Sequence, residues 1–164
     1  MRLIKLALIS FIVFFAVITA ISLVFPSHIR ISKAVSISSH TDRVLYLVSD
    51  FQQWPRWHPA FLGQGMDTVL QKNNIALTRI KSTDTLVTVK WQQGNKTPVL
   101  NSWQLHTFGT ADSVALQWYM DFRLKWYPWE KFGSLFYEST YGQYMEQGLQ
   151  NIKQILQQKD TVNL

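Results

Sequence analysis

The longest uninterrupted apolar stretch lies at the start of the chain. The run from Leu6 through Phe25, LALISFIVFFAVITAISLVF, carries no charge, and its only polar side chains are Ser10, Thr19 and Ser22. Twenty helical residues reach ~30 Å, the thickness of a bilayer hydrocarbon core. Such hydroxyls can bond back to the carbonyl one turn earlier. A cleaved signal peptide is the competing reading. Its apolar core is usually shorter and is followed by small residues, whereas the nearest candidate here, Ile18-Thr19-Ala20, lies inside the run. An uncleaved anchor is the expectation, with Pro26 ending its helix.

Beyond Pro26 the period changes to two. Ile29, Ile31, Val35 and Ile37 share one face of a first strand, with Arg30, Ser32 and Ser36 opposite. Ser38-Ser39-His40-Thr41 offers N-cap candidates for a helix in which Val44, Leu47, Val48 and Phe51 make one stripe. Trp54-Pro55-Arg56-Trp57-His58-Pro59 interrupts that helix, because a proline disfavours helical geometry in the residue before it. A glycine-bearing loop follows at residues 63–65, and turn signals at residues 72–74, 94–96 and 109–113 mark an antiparallel meander. Val87, Val89 and Trp91 alternate in one strand of it, and Val99, Trp103 and Leu105 point inward from the next. The clearest strand holds Val114, Leu116, Trp118, Met120, Phe122 and Leu124 on one face. After Trp126-Tyr127, Pro128 suits a helix start. Met145, Leu149, Ile152 and Leu156 then form the stripe of a long final helix. Gly142 and Gly148 within it predict close packing or a kink.

The order of strand, helix, several antiparallel strands and long helix predicts an α+β fold rather than a parallel sheet. The expected division is a cytoplasmic N-terminus at 1–5, a transmembrane helix at 6–25, a tether at 26–28, one domain at 29–158 and a tail at 159–164. Arg2 and Lys5 precede the apolar run while Arg30 and Lys33 follow it at a distance, which places the N-terminus in the cytoplasm and the domain in the periplasm or outside the cell.

Charge changes this picture little. The chain carries 16 basic and 10 acidic residues, a net charge of +6. The first 33 residues hold four of the bases and no acid, which leaves only +2 for the other 131 residues. No Lys/Arg cluster stands in the domain, so a nucleic-acid partner is not expected. The absence of cysteine excludes thiol chemistry and cysteinyl metal sites. The four histidines, at 28, 40, 58 and 106, are widely spaced, so no metal or other cofactor is expected. A monomer is the expected state.

Three segments resemble a known family. Asp50-Phe51-Gln52-Gln53-Trp54-Pro55-Arg56-Trp57-His58-Pro59 is similar to the D-(F/Y)-x-x-W-x-x-W-x-P segment of the START-like SRPBCC superfamily, which includes the polyketide cyclase/dehydrase-like proteins. The strand pair from Trp103 to Leu124, joined at Gly109-Thr110, resembles its W-x-(F/L)…G-T-x-V-x-W hairpin. Tyr141-Gly142 through Met145-Glu146, Gly148-Leu149 and Asn151-Ile152-Lys153 resembles its G-x-x-x-E-x-G-L-x-N-L-K helix. The resemblance implies a bacterial protein of helix-grip fold, in which a curved antiparallel sheet wraps the final helix and encloses a cavity.

In that frame Trp91, Trp103, Trp118, Met120, Phe122, Tyr141 and Met145 are expected to line the cavity, with Tyr144 a further candidate on the final helix, although plain core packing would place the same residues inward. Trp54, Trp57 and His58 are candidates for its mouth, although a cap on the core beneath a loop is the favoured reading of the two tryptophans. His58 invites an acid–base reading through its ordinary pKa, but a packing role suits its place between Trp57 and Pro59 better. Asp121 and Arg123 read as an ion pair along one strand. No nucleophile elbow, phosphate loop or dinucleotide fingerprint is present. The expected function is a membrane-tethered domain that binds a small hydrophobic or amphipathic, lipid-like ligand. A structural domain filled by its own aromatics comes next, and a cyclase/dehydrase-type enzyme last.

Overall fold

The computed structural model describes residues 2–107 and 113–161, with side chains through residue 158. Helix α1 (Arg2–Ser22) leads, followed by β1 (His28–Ile37), α2 (Thr41–Ser49), a 3-10 turn (Phe51–Arg56) and α3 (Met66–Lys72). Strands β2 (Ile75–Ser82), β3 (Leu86–Gln93), β4 (Val99–Thr107) and β5 (Val114–Arg123) make the meander. Helix α4 (Pro128–Gly133), a second 3-10 turn (Ser134–Phe136) and the long α5 (Tyr137–Thr161) complete the chain. The five strands form one sheet in the order β1-β5-β4-β3-β2, antiparallel throughout. Its concave face grips α5, which is the α+β helix-grip arrangement.

The period-two patterns dictate which face is buried. Val114, Leu116, Trp118, Met120 and Phe122 of β5 are all buried, and so are Val87, Val89, Trp103 and Leu105 on the neighbouring strands. Against them lie Met145, Leu149, Ile152 and Leu156 of α5, each at most 3% exposed. A fully buried Trp removes roughly 200 Å² from water, about 5 kcal/mol before entropic costs. Trp54, Trp57, Trp103 and Trp118 are each 0% exposed and form the floor of this core.

Local chemistry explains the Trp-containing segment. The final carbonyls of any helix lack an intrahelical partner. Here the Trp57 indole N–H donates to the Leu47 carbonyl at 2.9 Å and that of Trp54 to the Val48 carbonyl at 3.1 Å. The Asn151 side chain on α5 then donates to the Trp57 carbonyl at 2.9 Å. Two of the three family-like segments are thus joined by one hydrogen bond.

Several expectations need correcting. The first helix ends at Ser22, not Pro26, and a turn carries the chain through residues 23–25. Its hydroxyls do bond back, Thr19 Oγ1 to the Phe15 carbonyl at 2.8 Å and Ser22 Oγ to the Thr19 carbonyl at 2.7 Å. Helix α2 stops at Ser49, ahead of Phe51 and of Pro55, because Asp50 turns extended and its carboxylate caps the following turn at Gln52 N–H, 3.0 Å away. The N-cap of α2 is His40, within the segment expected to supply it, but it makes no side-chain cap bond. Helix α3 was not anticipated; it has seven residues and buries only Val69, too little for a periodic signal. The turn expected at 109–113 falls almost wholly outside the described residues.

Asp121 does not pair along its own strand with Arg123. It accepts from Arg30 Nε at 2.7 Å and Arg30 Nη2 at 3.0 Å, and His28 Nε2 lies 3.4 Å away. Arg30 and Asp121 are register partners between β1 and β5. Directly opposed cross-strand residues are closer than residues two apart on one strand.

Candidate ligand-binding cavity

The interior is not filled. A cavity of about 710 Å³ lies between the sheet and the first half of α5. Strands β3 and β4 supply Trp91, Gln93, Val99 and Asn101, and β5 supplies Met120 and Phe122. Helix α5 contributes Tyr137, Tyr141 and Tyr144, and His58 closes the wall. The cavity reaches the surface between the β3–β4 turn, where Lys96 is exposed, and the segment after β5, where Arg123 and Lys125 are exposed.

The aromatics of the wall pack on one another. The Phe122 ring centre lies 4.8 Å from Tyr137 and 4.7 Å from Tyr141. His58 is sandwiched, stacked 4.9 Å from Trp54 at an interplanar angle of 4° and 5.5 Å from Trp91 at 18°. Tyr144 meets its edge, with Oη 3.3 Å from His58 Nδ1.

Electrostatics make His58 a neutral group. Burial pushes its imidazole from 6.5 down to about 3, since no opposite charge compensates the lost hydration. The Ala60 backbone N–H, which can only donate, points at Nδ1 from 3.4 Å. The neutral ring therefore carries its proton on Nε2, and that atom is buried with no partner among the described residues. Asn101 is 2% exposed, and its carbonyl oxygen accepts from the Trp118 indole at 3.0 Å. This leaves the Asn101 NH₂ as a second donor in the wall. Burial also raises the Tyr144 phenol above its ordinary value, so it too stays neutral. Near the mouth Glu130 accepts from the Lys125 backbone N–H at 2.7 Å, and with Lys96, Arg123 and Lys125 set against this one acid the rim is predominantly cationic.

A group that protonates only near pH 3 is a poor proton shuttle at neutral pH. What His58 offers is a fixed hydrogen-bond donor on an aromatic wall. Among the described residues, no three His, Asp or Glu side chains converge to hold a metal.

Of the residues expected to line a cavity, Trp91, Met120, Phe122 and Tyr141 do so in this structure. Trp103, Trp118 and Met145 are packed beneath it, each 0% exposed. His58 is on the wall, whereas Trp54 and Trp57 are buried in the floor rather than placed at a mouth. Tyr144, the further candidate on the final helix, lines it too, whereas sequence reasoning passed over Val99, Asn101 and Tyr137 as lining residues. Tyr137 could have been found, since with Tyr141 and Tyr144 it recurs at i, i+4 and i+7 on one face of α5.

A sheet gripping a long helix over an aromatic cavity with a few buried polar groups defines a small-molecule-binding α+β domain. Residues 28–157 match the family described as polyketide cyclase / dehydrase and lipid transport, and the chain belongs to that family. Among solved structures, a protein of unknown function from Staphylococcus aureus superposes with a TM-score of 0.60 at 8% identity, over 82% of this chain and 96% of its own. The di-domain ARO/CYC StfQ from the steffimycin biosynthetic pathway superposes with a TM-score of 0.58 at 9% identity, over 82% of this chain. The match spans about half of that protein, 52% of its length. A START superfamily protein from Mycobacterium smegmatis gives a TM-score of 0.52 at 20% identity, over 79% of this chain and 97% of its own. At such identities the likeness is one of fold. No curated protein sequence matches the chain.

Proposed function

We propose that this protein is a membrane-tethered binding domain that holds one small amphiphile in the helix-grip cavity, as a monomer on the non-cytoplasmic side. The observation that carries the reading is the cavity of about 710 Å³ with aromatic walls, a neutral buried His58 and a cationic rim. The ligand has an apolar body that lies against Trp91, Phe122 and Tyr141. Its oxygens accept from the His58 Nε2–H and the Asn101 NH₂, because a buried donor without an acceptor is costly. The rim of Lys96, Arg123 and Lys125 favours an anionic head.

The tether rests on α1, 21 residues long, whose apolar stretch has a mean hydropathy of 2.6 and is not buried against the rest of the chain, Ser22 at its end being the one buried residue. A helix of this kind at an N-terminus fits an anchor or a signal sequence. Its length favours the anchor, and the preceding Arg2 and Lys5 favour a cytoplasmic N-terminus.

Native mass spectrometry of the full chain in detergent tests the cavity. A stoichiometric small molecule retained by the wild type and absent from a folded Val99→Trp variant, in which the new side chain fills the space, is the expected outcome. Equal adducts on both proteins would mean lipid bound around α1 and would sink the reading.

A further inference from the structure

The segment between β5 and α5 exposes large apolar side chains that the fold does not use. Trp126 is 59% exposed, Trp129 63%, Leu135 59% and Phe136 69%. Of the seven tryptophans, all within the described residues, Trp126 and Trp129 are the two exposed ones. They flank Tyr127, whose ring lies 4.9 Å from Trp126 and is stacked 4.8 Å from Trp129. Contiguous exposed apolar surface of this kind marks an interaction site.

The occupant follows from what adjoins the patch. Phe132 of α4 packs on Phe25, just beyond the end of α1, with ring centres 5.5 Å apart. Lys131 is 2% exposed and spends its ammonium on the same junction, donating to the Phe25 carbonyl at 3.0 Å and to Ser27 Oγ at 2.7 Å. The patch is therefore continuous with the end of a bare apolar helix. Its composition is that of a membrane interface, where Trp and Tyr favour the head-group level. Glu130 is the one acid between residues 124 and 137, set against Lys125 and Lys131, and its Oε2 accepts from the Lys125 backbone N–H. The same segment also borders the cavity, through Leu124 and Lys125 at one end and Tyr137 at the other.

We propose that residues 124–137 seat on the bilayer that α1 crosses, with Trp126, Trp129, Leu135 and Phe136 in the head-group layer. The cavity mouth then opens at the lipid surface, and its ligand is a membrane amphiphile drawn from that leaflet. This inference rests on the tether reading. Lys131 is the clamp that holds the domain in this orientation.

Because α1 contains no tryptophan, indole emission reports on the domain alone. The full chain is reconstituted in phosphatidylcholine vesicles with brominated or ordinary acyl chains. Bromine should quench part of the wild-type emission, and that quenching should be lost in the Trp126→Phe/Trp129→Phe double variant. Quenching that survives in the double variant and disappears in Trp91→Phe would mean lipid in the cavity without docking of the segment, and would overturn the inference. Unquenched emission from protein that resists an alkaline carbonate wash would overturn the docking while leaving the tether intact. Release of the chain by that wash would overturn the tether itself, and the docking with it.

Discussion

Along α5 the sheet and the helix meet in two different ways. Toward the C-terminal half, Gly148 brings the helix backbone so close to Trp118 and Pro59 that a Cβ built there would lie 2.8 Å from the Trp118 ring and 3.1 Å from Pro59 Cδ. Trp103, Trp118 and Met145 are sealed beneath that contact. Toward the N-terminal half, Tyr137, Tyr141 and Tyr144 stand between helix and sheet, and the cavity opens among them. Both regions are rich in aromatics, so aromatic content does not separate a core from a pocket. The separation of the two backbones does, and it is set by glycine at one end and tyrosine at the other.

The largest effect expected from breaking this contrast is at the floor. Trp118→Ala should cost about 3–5 kcal/mol, the range for emptying a buried aromatic site, whereas Tyr141→Ala at the cavity wall should cost about 1 kcal/mol. Denaturant unfolding of the two variants in detergent measures both, and equal losses would erase the distinction drawn between them.

The two glycines of α5 sharpen it next. Gly148→Ala should destabilise by about 1–3 kcal/mol, because a rigid indole and a proline ring must give way. Gly142→Ala should be neutral or gain up to about 1 kcal/mol of helix propensity. There the nearest atom is Lys33 Cε at 2.9 Å, the far end of a flexible side chain that reaches Glu138 and Glu146. Thermal melts of the pair would show opposite shifts.

His58 lies where floor and cavity meet, and it carries the pH dependence. Its folded pKa of about 3 lies below the 6.5 of the unfolded chain. Above pH 6.5 both states are neutral there and stability is complete. As the pH falls from 6.5 toward 3, the unfolded state binds a proton that the native state refuses. Stability then drops by up to ~1.4 kcal/mol per pH unit. His58→Phe, which keeps the stacking on Trp54 and Trp91, should flatten the melting temperature across that window. An unchanged slope would assign the acid lability to other groups.

The smallest effect belongs to the outer face. Arg30→Ala should cost less than about 1 kcal/mol, because Arg30 is 57% exposed and its attraction to Asp121 is screened by water. A loss comparable to that of Trp118→Ala would mean that the β1–β5 edge depends on this ion pair.

Much of the architecture was legible along the chain. Alternation at Val114–Phe122 and the four-residue rhythm of Met145–Leu156 report which side of each element faces inward, and burial in the structure follows them. The apolar length of residues 6–25, the α+β order and the resemblance of the Asp50–Pro59 segment are equally local properties. Elements too short to repeat a period, such as α3, left no trace. Relations between distant residues were hidden as well. Arg30 reaches Asp121 and Lys131 reaches Phe25 only because strand order and helix docking bring them together. The cavity belongs to this second kind. Periodicity tells which residues point inward but not how far apart two inward surfaces stand. That distance depends on side-chain size across the gap, on Gly148 against Trp118 and Tyr141 against Phe122, pairs the chain separates by 30 and 19 residues. The sequence alone determined the elements and their faces, and the tertiary structure decided where packing closes and where room for a ligand remains.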